Sequence, residues 1–149
     1  MSNVFFYLLL AVVAGAMMPT QAAINNKLSV FVDSPILAAF ISFLVGTIGL
    51  LVYLLIAGVP LGNIVSAKNA PAIAWVGGLL GAFFVTSTVV LVPRLGVALT
   101  FSLIVAGQML VTLVIDHFGL LDVPVKEVSF ARVGGILLII AGVILIRKF

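Results

Sequence analysis

A chain of 149 residues with 64% hydrophobic and only 7% charged residues cannot clothe a water-soluble core, because ordinary soluble domains carry about a quarter charged residues. The mean hydropathy of +1.47 agrees, and the net charge of +3, from seven Lys/Arg against four Asp/Glu, is spread between apolar runs instead of forming a patch. Together these exclude a soluble enzyme, a disordered protein and a nucleic-acid binder.

A membrane-crossing helix needs about 20 mostly apolar residues, and five segments meet that length or approach it. They run from Val4 to Ile24, Pro35 to Ala57, Ala72 to Val92, Gly96 to Phe118 and Arg132 to Ile146. Turn-forming or polar residues punctuate them at Asn25-Asn26-Lys27, Asp33-Ser34-Pro35, Gly58 to Gly62, Pro93-Arg94 and Asp122 to Glu127. The first run has no basic residue ahead of it, and further spans follow where a secreted protein would have a polar body. It therefore reads as a retained helix, not a signal peptide. The expected fold is an all-α integral membrane bundle of five transmembrane helices, residues 1–149 forming a single domain in the lipid bilayer.

In the first span, Pro19 removes a backbone N–H and displaces the Gly15 carbonyl. Gln21 and Asn25 follow one turn apart on a shared face. The arrangement is either a kink near a helix end or a broken helix of the kind transporters use at substrate sites. In the second, Ala38, Ser42, Gly46 and Gly49 form a small-residue stripe. Such stripes let helix backbones approach closely in lipid. The third has Gly77, Gly78 and Gly81, then Thr86, Ser87 and Thr88, whose hydroxyls either bond back to the preceding turn or face the interior. Trp75 at its head fits an interfacial anchor. The fourth carries Ala98, Ser102 and Ala106 as a stripe, Gln108 near its middle, and Asp116-His117 at its end. Gln108 either bonds across helices or lines a cavity. The Asp116-His117 pair is either a solvated interfacial pair or a proton relay. The fifth has Gly135 and Gly142 one heptad apart. Several stripes in one chain predict a compact bundle with several buried faces.

Crossing the membrane an odd number of times puts the termini on opposite faces. One face then carries Lys68, Lys126 and Arg132, the other Lys27, Arg94, Arg147 and Lys148, and the α-amino group evens the count. Orientation follows Lys/Arg asymmetry, which this chain almost lacks. Either a partner sets a fixed topology or the chain inserts both ways round.

No Asp, Glu, Lys or Arg lies near the centre of any span. There is no GxxxxGK[ST] loop, no His/Glu cluster for a metal and no nucleophile–base pair at depth. Cysteine is absent, which removes disulfides and thiol chemistry. The expectation is no enzyme, no cofactor and no nucleic-acid partner.

Pro19-Thr20-Gln21-Ala22-Ala23-Ile24-Asn25, Ile41-Ser42-Phe43-Leu44-Val45-Gly46-Thr47, Trp75-Val76-Gly77-Gly78-Leu79-Leu80-Gly81-Ala82-Phe83-Phe84-Val85, Pro93-Arg94-Leu95-Gly96, Ala106-Gly107-Gln108 and Ile115-Asp116-His117-Phe118-Gly119 follow one another along nearly the whole chain. In these stretches the chain resembles the YdcZ-like five-span branch of the drug/metabolite transporter superfamily. The resemblance implies a bacterial inner-membrane protein, multi-pass, related to one half of a ten-helix transporter whose halves are mutually inverted. It implies pairing with an oppositely inserted copy, as an antiparallel homodimer, or with a related chain as a heterodimer. The superfamily's small multidrug-resistance members use a glutamate in their first helix, and this chain has none there.

The reading that follows is a secondary transporter moving a small organic metabolite or drug-like solute by alternating access. Gln21, Asn25, Ser42, Thr86 and Gln108 are the candidate substrate-binding residues. Amides both donate and accept, which suits a neutral or zwitterionic small-molecule substrate. The competing reading is a membrane assembly or accessory subunit that moves nothing itself. A channel ranks below both, since no charged ring or filter-like loop is present.

Overall fold

The structure, a computed structural model, describes residues 2–149, with side chains described from residue 4 onward. The described residues form α-helices joined by turns and short 3-10 segments, with no strand. The helices are α1 (Ser2–Val32), α2 (Pro35–Ile56), α3 (Ala72–Leu95), α4 (Val97–Phe118) and α5 (Phe130–Lys148). All five are long and apolar enough to cross a membrane. The fold is thus all-α with five candidate transmembrane helices.

The chain divides into two compact units, Met1–Pro93 and Arg94–Phe149. In the first, α1 and α2 pack along each other. The expected break at Asn25-Asn26-Lys27 is not a break, because α1 continues to Val32 and also runs through Pro19 uninterrupted. The turn falls at Asp33, whose φ of 49° is left-handed, a conformation that Asp tolerates. Ser34 then caps α2, its hydroxyl accepting from the Leu37 N–H at 3.2 Å, with Pro35 opening the helix. Proline fits there because its missing N–H would have had no partner. At the far end Gly58 (φ 65°) closes α2. Its N–H donates to Leu55 and that of Val59 to Leu54, the pair of bonds that ends a helix on a left-handed glycine. A 3-10 segment, Leu61–Asn69, leads to α3. There a Cβ added to Gly81 would stand 3.5 Å from the Phe43 ring of α2.

Pro93 does not end α3 either; Arg94 and Leu95 remain helical. The turn is made by Gly96, with φ 79° and ψ 161°. In the second unit α4 ends at Gly119, left-handed at φ 59°. A Cβ there would meet a Val125 methyl at 2.7 Å and the Val123 carbonyl at 3.3 Å. Gly119→Ala is therefore expected to cost about 1–2 kcal/mol of stability for the left-handed backbone alone. Thermal unfolding in detergent would measure this, and Val125→Ala added to it should recover only the steric share. Ser129 caps α5, accepting from the Arg132 N–H at 3.3 Å, and α5 packs along α4.

The small-residue stripes do not behave as their sequence suggests. Ala38, at the start of the α2 stripe, is fully buried, and Ala22 and Ala39 nearly so. Yet Gly46, Gly49, Gly77, Gly78, Gly135 and Gly142 have no neighbouring atom within 4 Å of the place a Cβ would take. Among the described residues, the buried positions are Ala22 and Asn25 of α1, Ala38 and Ala39 of α2, Val85, Thr88, Val89 and Val92 of α3, Thr100 of α4, and Ile136 and Val143 of α5. Most glycines that would permit close approach lie open, so these stripes do not act as packing faces within either unit.

Candidate functional site

The first unit holds the densest set of uncommitted polar groups at helix depth. Gln21 of α1 and Ser42, Phe43, Gly46, Thr47 and Leu50 of α2 line a groove of about 230 Å³. The open face at Gly46 makes this room, since no side chain projects from it. The Thr47 hydroxyl is spent on its own helix, donating to the Phe43 carbonyl at 2.8 Å. The Gln21 amide and the Ser42 hydroxyl have no hydrogen-bond partner among the described residues, so the polar part of the groove is available.

Asn25 stands one turn beyond Gln21 on α1. It lies eight residues before Asp33, and Ser42 lies eight after Ser34, so the hairpin brings the two to a similar level. Asn25 is only 4% exposed, and its Nδ2 has no hydrogen-bond partner. A buried N–H without an acceptor costs about 1–3 kcal/mol. Orphans of this kind are rare in native structures, and a functional role is one of the few reasons to keep one.

The other two candidate residues are placed differently. Thr86 is half-buried on α3 and does not line the groove. Within the trio it is Thr88 that is buried, 2% exposed, with its hydroxyl donating to the Val85 carbonyl at 2.8 Å. Gln108 is exposed on α4, in the second unit. Gln21 and Ser42 thus line one groove on the α1–α2 hairpin, whereas Asn25, one turn along α1, Thr86 and Gln108 are not among its lining residues.

The second unit carries a polar cluster at the α4–α5 end. Asp116 and His117 do not bond to each other. Asp116 forms an ion pair with Arg132 of α5, while His117 accepts from the Val128 N–H through Nδ1 at 3.4 Å. Arg132 also donates to the Lys126 carbonyl at 3.0 Å, and the Lys126 N–H donates to the Asp116 carbonyl at 2.8 Å. One guanidinium therefore ties the connecting loop to both helix ends, which replaces the proton-relay reading with a structural clamp. Two further grooves lie between α4 and α5. One, of about 250 Å³, includes Arg132, and the other, of about 370 Å³, runs past Ser102 and Gly142.

No group of His, Asp or Glu suited to a metal occurs among the described residues. Nothing among curated proteins or solved structures matches the chain. The family model described as "Putative inner membrane exporter, YdcZ" matches residues 6–145, a stretch that reaches all five helices and contains every polar group described above. Transport is not an enzyme class, and multi-pass insertion in the inner membrane agrees with five apolar helices. On that match the chain belongs to the YdcZ family of drug/metabolite transporters, and it is a membrane transporter of the inner membrane.

Proposed function

We propose that two copies inserted with opposite orientations form a ten-helix assembly that exports a small neutral or zwitterionic organic solute by alternating access. The observation that carries this is the buried, unpartnered Asn25 amide, one helical turn along α1 from the Gln21 that lines the open groove with Ser42. A chain this apolar retains few polar groups at depth, and such groups mark solute pathways more often than lipid-facing surface. Gln21, Asn25 and Ser42 form the core of the proposed site, with Thr86 and Gln108 contributing when the halves assemble. Amides and hydroxyls offer donors and acceptors without net charge, hence a solute with balanced or no charge. The open glycines of α2 and α3 leave backbone faces on which the second copy can pack closely. The near-even Lys/Arg count on the two faces is compatible with insertion both ways round.

The test uses the absence of native cysteine. A single cysteine placed after Phe149 is labelled with an impermeant reagent from either face of sealed vesicles. Labelling of comparable fractions from both faces is expected, together with saturable flux of at least one solute from a panel of neutral and zwitterionic metabolites. Labelling from one face only removes the antiparallel homodimer. Absence of flux across the panel favours the accessory-subunit reading.

A further inference from the structure

We propose that the α4–α5 groove between Arg132 and Ile139 is a seat for one acyl chain of a zwitterionic phospholipid, whose headgroup phosphate meets Arg132 and whose primary ammonium meets Asp116. The groove, of about 250 Å³, is walled by Met109, Thr112 and Leu113 of α4 and by Gly135, Ile136 and Ile139 of α5, with Arg132 at its end. Its interior is hydrocarbon in character, because the Thr112 hydroxyl is turned onto the Met109 carbonyl at 3.0 Å. Gly135 opens the slot, having no neighbour within 4 Å of a would-be Cβ.

Depth and charge identify the occupant. Arg132 sits in the first turn of α5 and Ile139 at the middle of that helix. The groove therefore descends about 10 Å along the helix from Arg132, within the roughly 15 Å of hydrocarbon that half a bilayer supplies. At its head stands an ion pair with side chains still 35% and 22% exposed. Arg132 uses one N–H on Lys126 and one on Asp116, which leaves donors of its five free for a phosphate. The Asp116 carboxylate keeps lone pairs for an ammonium. A paired plus and minus charge is complementary to a headgroup that itself carries minus and plus. A helix of a second copy, about 10 Å across, can lie over a slot of this size but cannot fill it.

The experiment is native mass spectrometry of the full chain released from mixed vesicles. The vesicles hold equal amounts of phosphatidylethanolamine, phosphatidylcholine and phosphatidylglycerol with identical acyl chains. Retention of the ethanolamine lipid about tenfold above the other two is expected, because only its ammonium hydrogen-bonds Asp116. Gly135→Leu fills the slot without a backbone clash and is expected to abolish that excess. Gly142→Leu, in the neighbouring groove, should leave it intact and serves as the folding control. Equal retention of the three lipids, or an excess that survives Gly135→Leu, overturns the proposal. A preference for the glycerol lipid overturns the zwitterionic headgroup. Loss of dimer in Gly135→Leu with lipid retention unchanged assigns the groove to a second copy and also overturns it.

Discussion

Asn25→Leu is expected to abolish most transport while leaving the protein as stable as before, or more so. Leu keeps the heavy-atom count and branching of Asn, with two methyl groups in place of the amide oxygen and nitrogen, so it retains the shape of the side chain at a modest increase in bulk. The variant removes a buried N–H that has no acceptor, relieving about 1–3 kcal/mol of desolvation cost. A solute that hydrogen-bonds this amide loses a comparable amount, which corresponds to about 5- to 150-fold in affinity. Flux in proteoliposomes and thermal unfolding in detergent, measured on the same preparation, should move in opposite directions. If flux is unchanged in Asn25→Leu, the amide is not in the solute's path. If stability drops sharply, the amide has a structural partner in the assembly.

Gly96→Val is expected to cost about 3 kcal/mol of stability. The φ of 79° and ψ of 161° fall in a region essentially reserved for glycine, where other residues pay about 1–3 kcal/mol, and a β-branched side chain lies at the upper end. The conformation cannot relax cheaply, because the Gly96 carbonyl accepts from both the Thr100 N–H at 3.2 Å and the Thr100 hydroxyl at 2.7 Å. Thr100 is itself buried, 1% exposed. Gly107→Ala, in the middle of α4 with open space around it, is the contrasting variant. It should gain about 0.5–1 kcal/mol from helix propensity. Midpoints of thermal unfolding for the two variants should bracket that of the parent protein; a Gly96→Val midpoint at or above it would show that the turn carries no strain penalty.

The membrane fold was legible because apolar run length leaves few alternatives in a bilayer. The turns were less so. Pro93 suggests a stop, but proline disturbs the turn before it and leaves the residues after it free to continue, so the stop falls at Gly96. Asn25-Asn26-Lys27 looked like a loop on polarity alone, whereas none of the three breaks a helix and α2 packs alongside. The residue types of the candidate site could be read directly, since Gln21, Asn25 and Ser42 stand out in an apolar background. That Asn25 is buried without a partner, and that Thr88 rather than Thr86 is the buried member of its trio, depends on helix rotation, which neither α1 nor α3 encodes as a one-sided pattern. The Arg132 clamp depends on how the loop between Gly119 and Ser129 folds back, and short-range spacing carries no sign of that.

The helices also differ greatly in reach. α1 has 31 residues and α5 has 19, which at 1.5 Å per residue are about 46 Å and 28 Å, against roughly 30 Å of hydrocarbon. α1 must tilt, or push its final turns into the aqueous phase, to avoid hydrophobic mismatch, whereas α5 barely reaches across. A thicker membrane accommodates the first and strains the second, and a thinner one does the reverse. Bilayer thickness therefore acts on the opening and closing helices of this transporter with opposite sign.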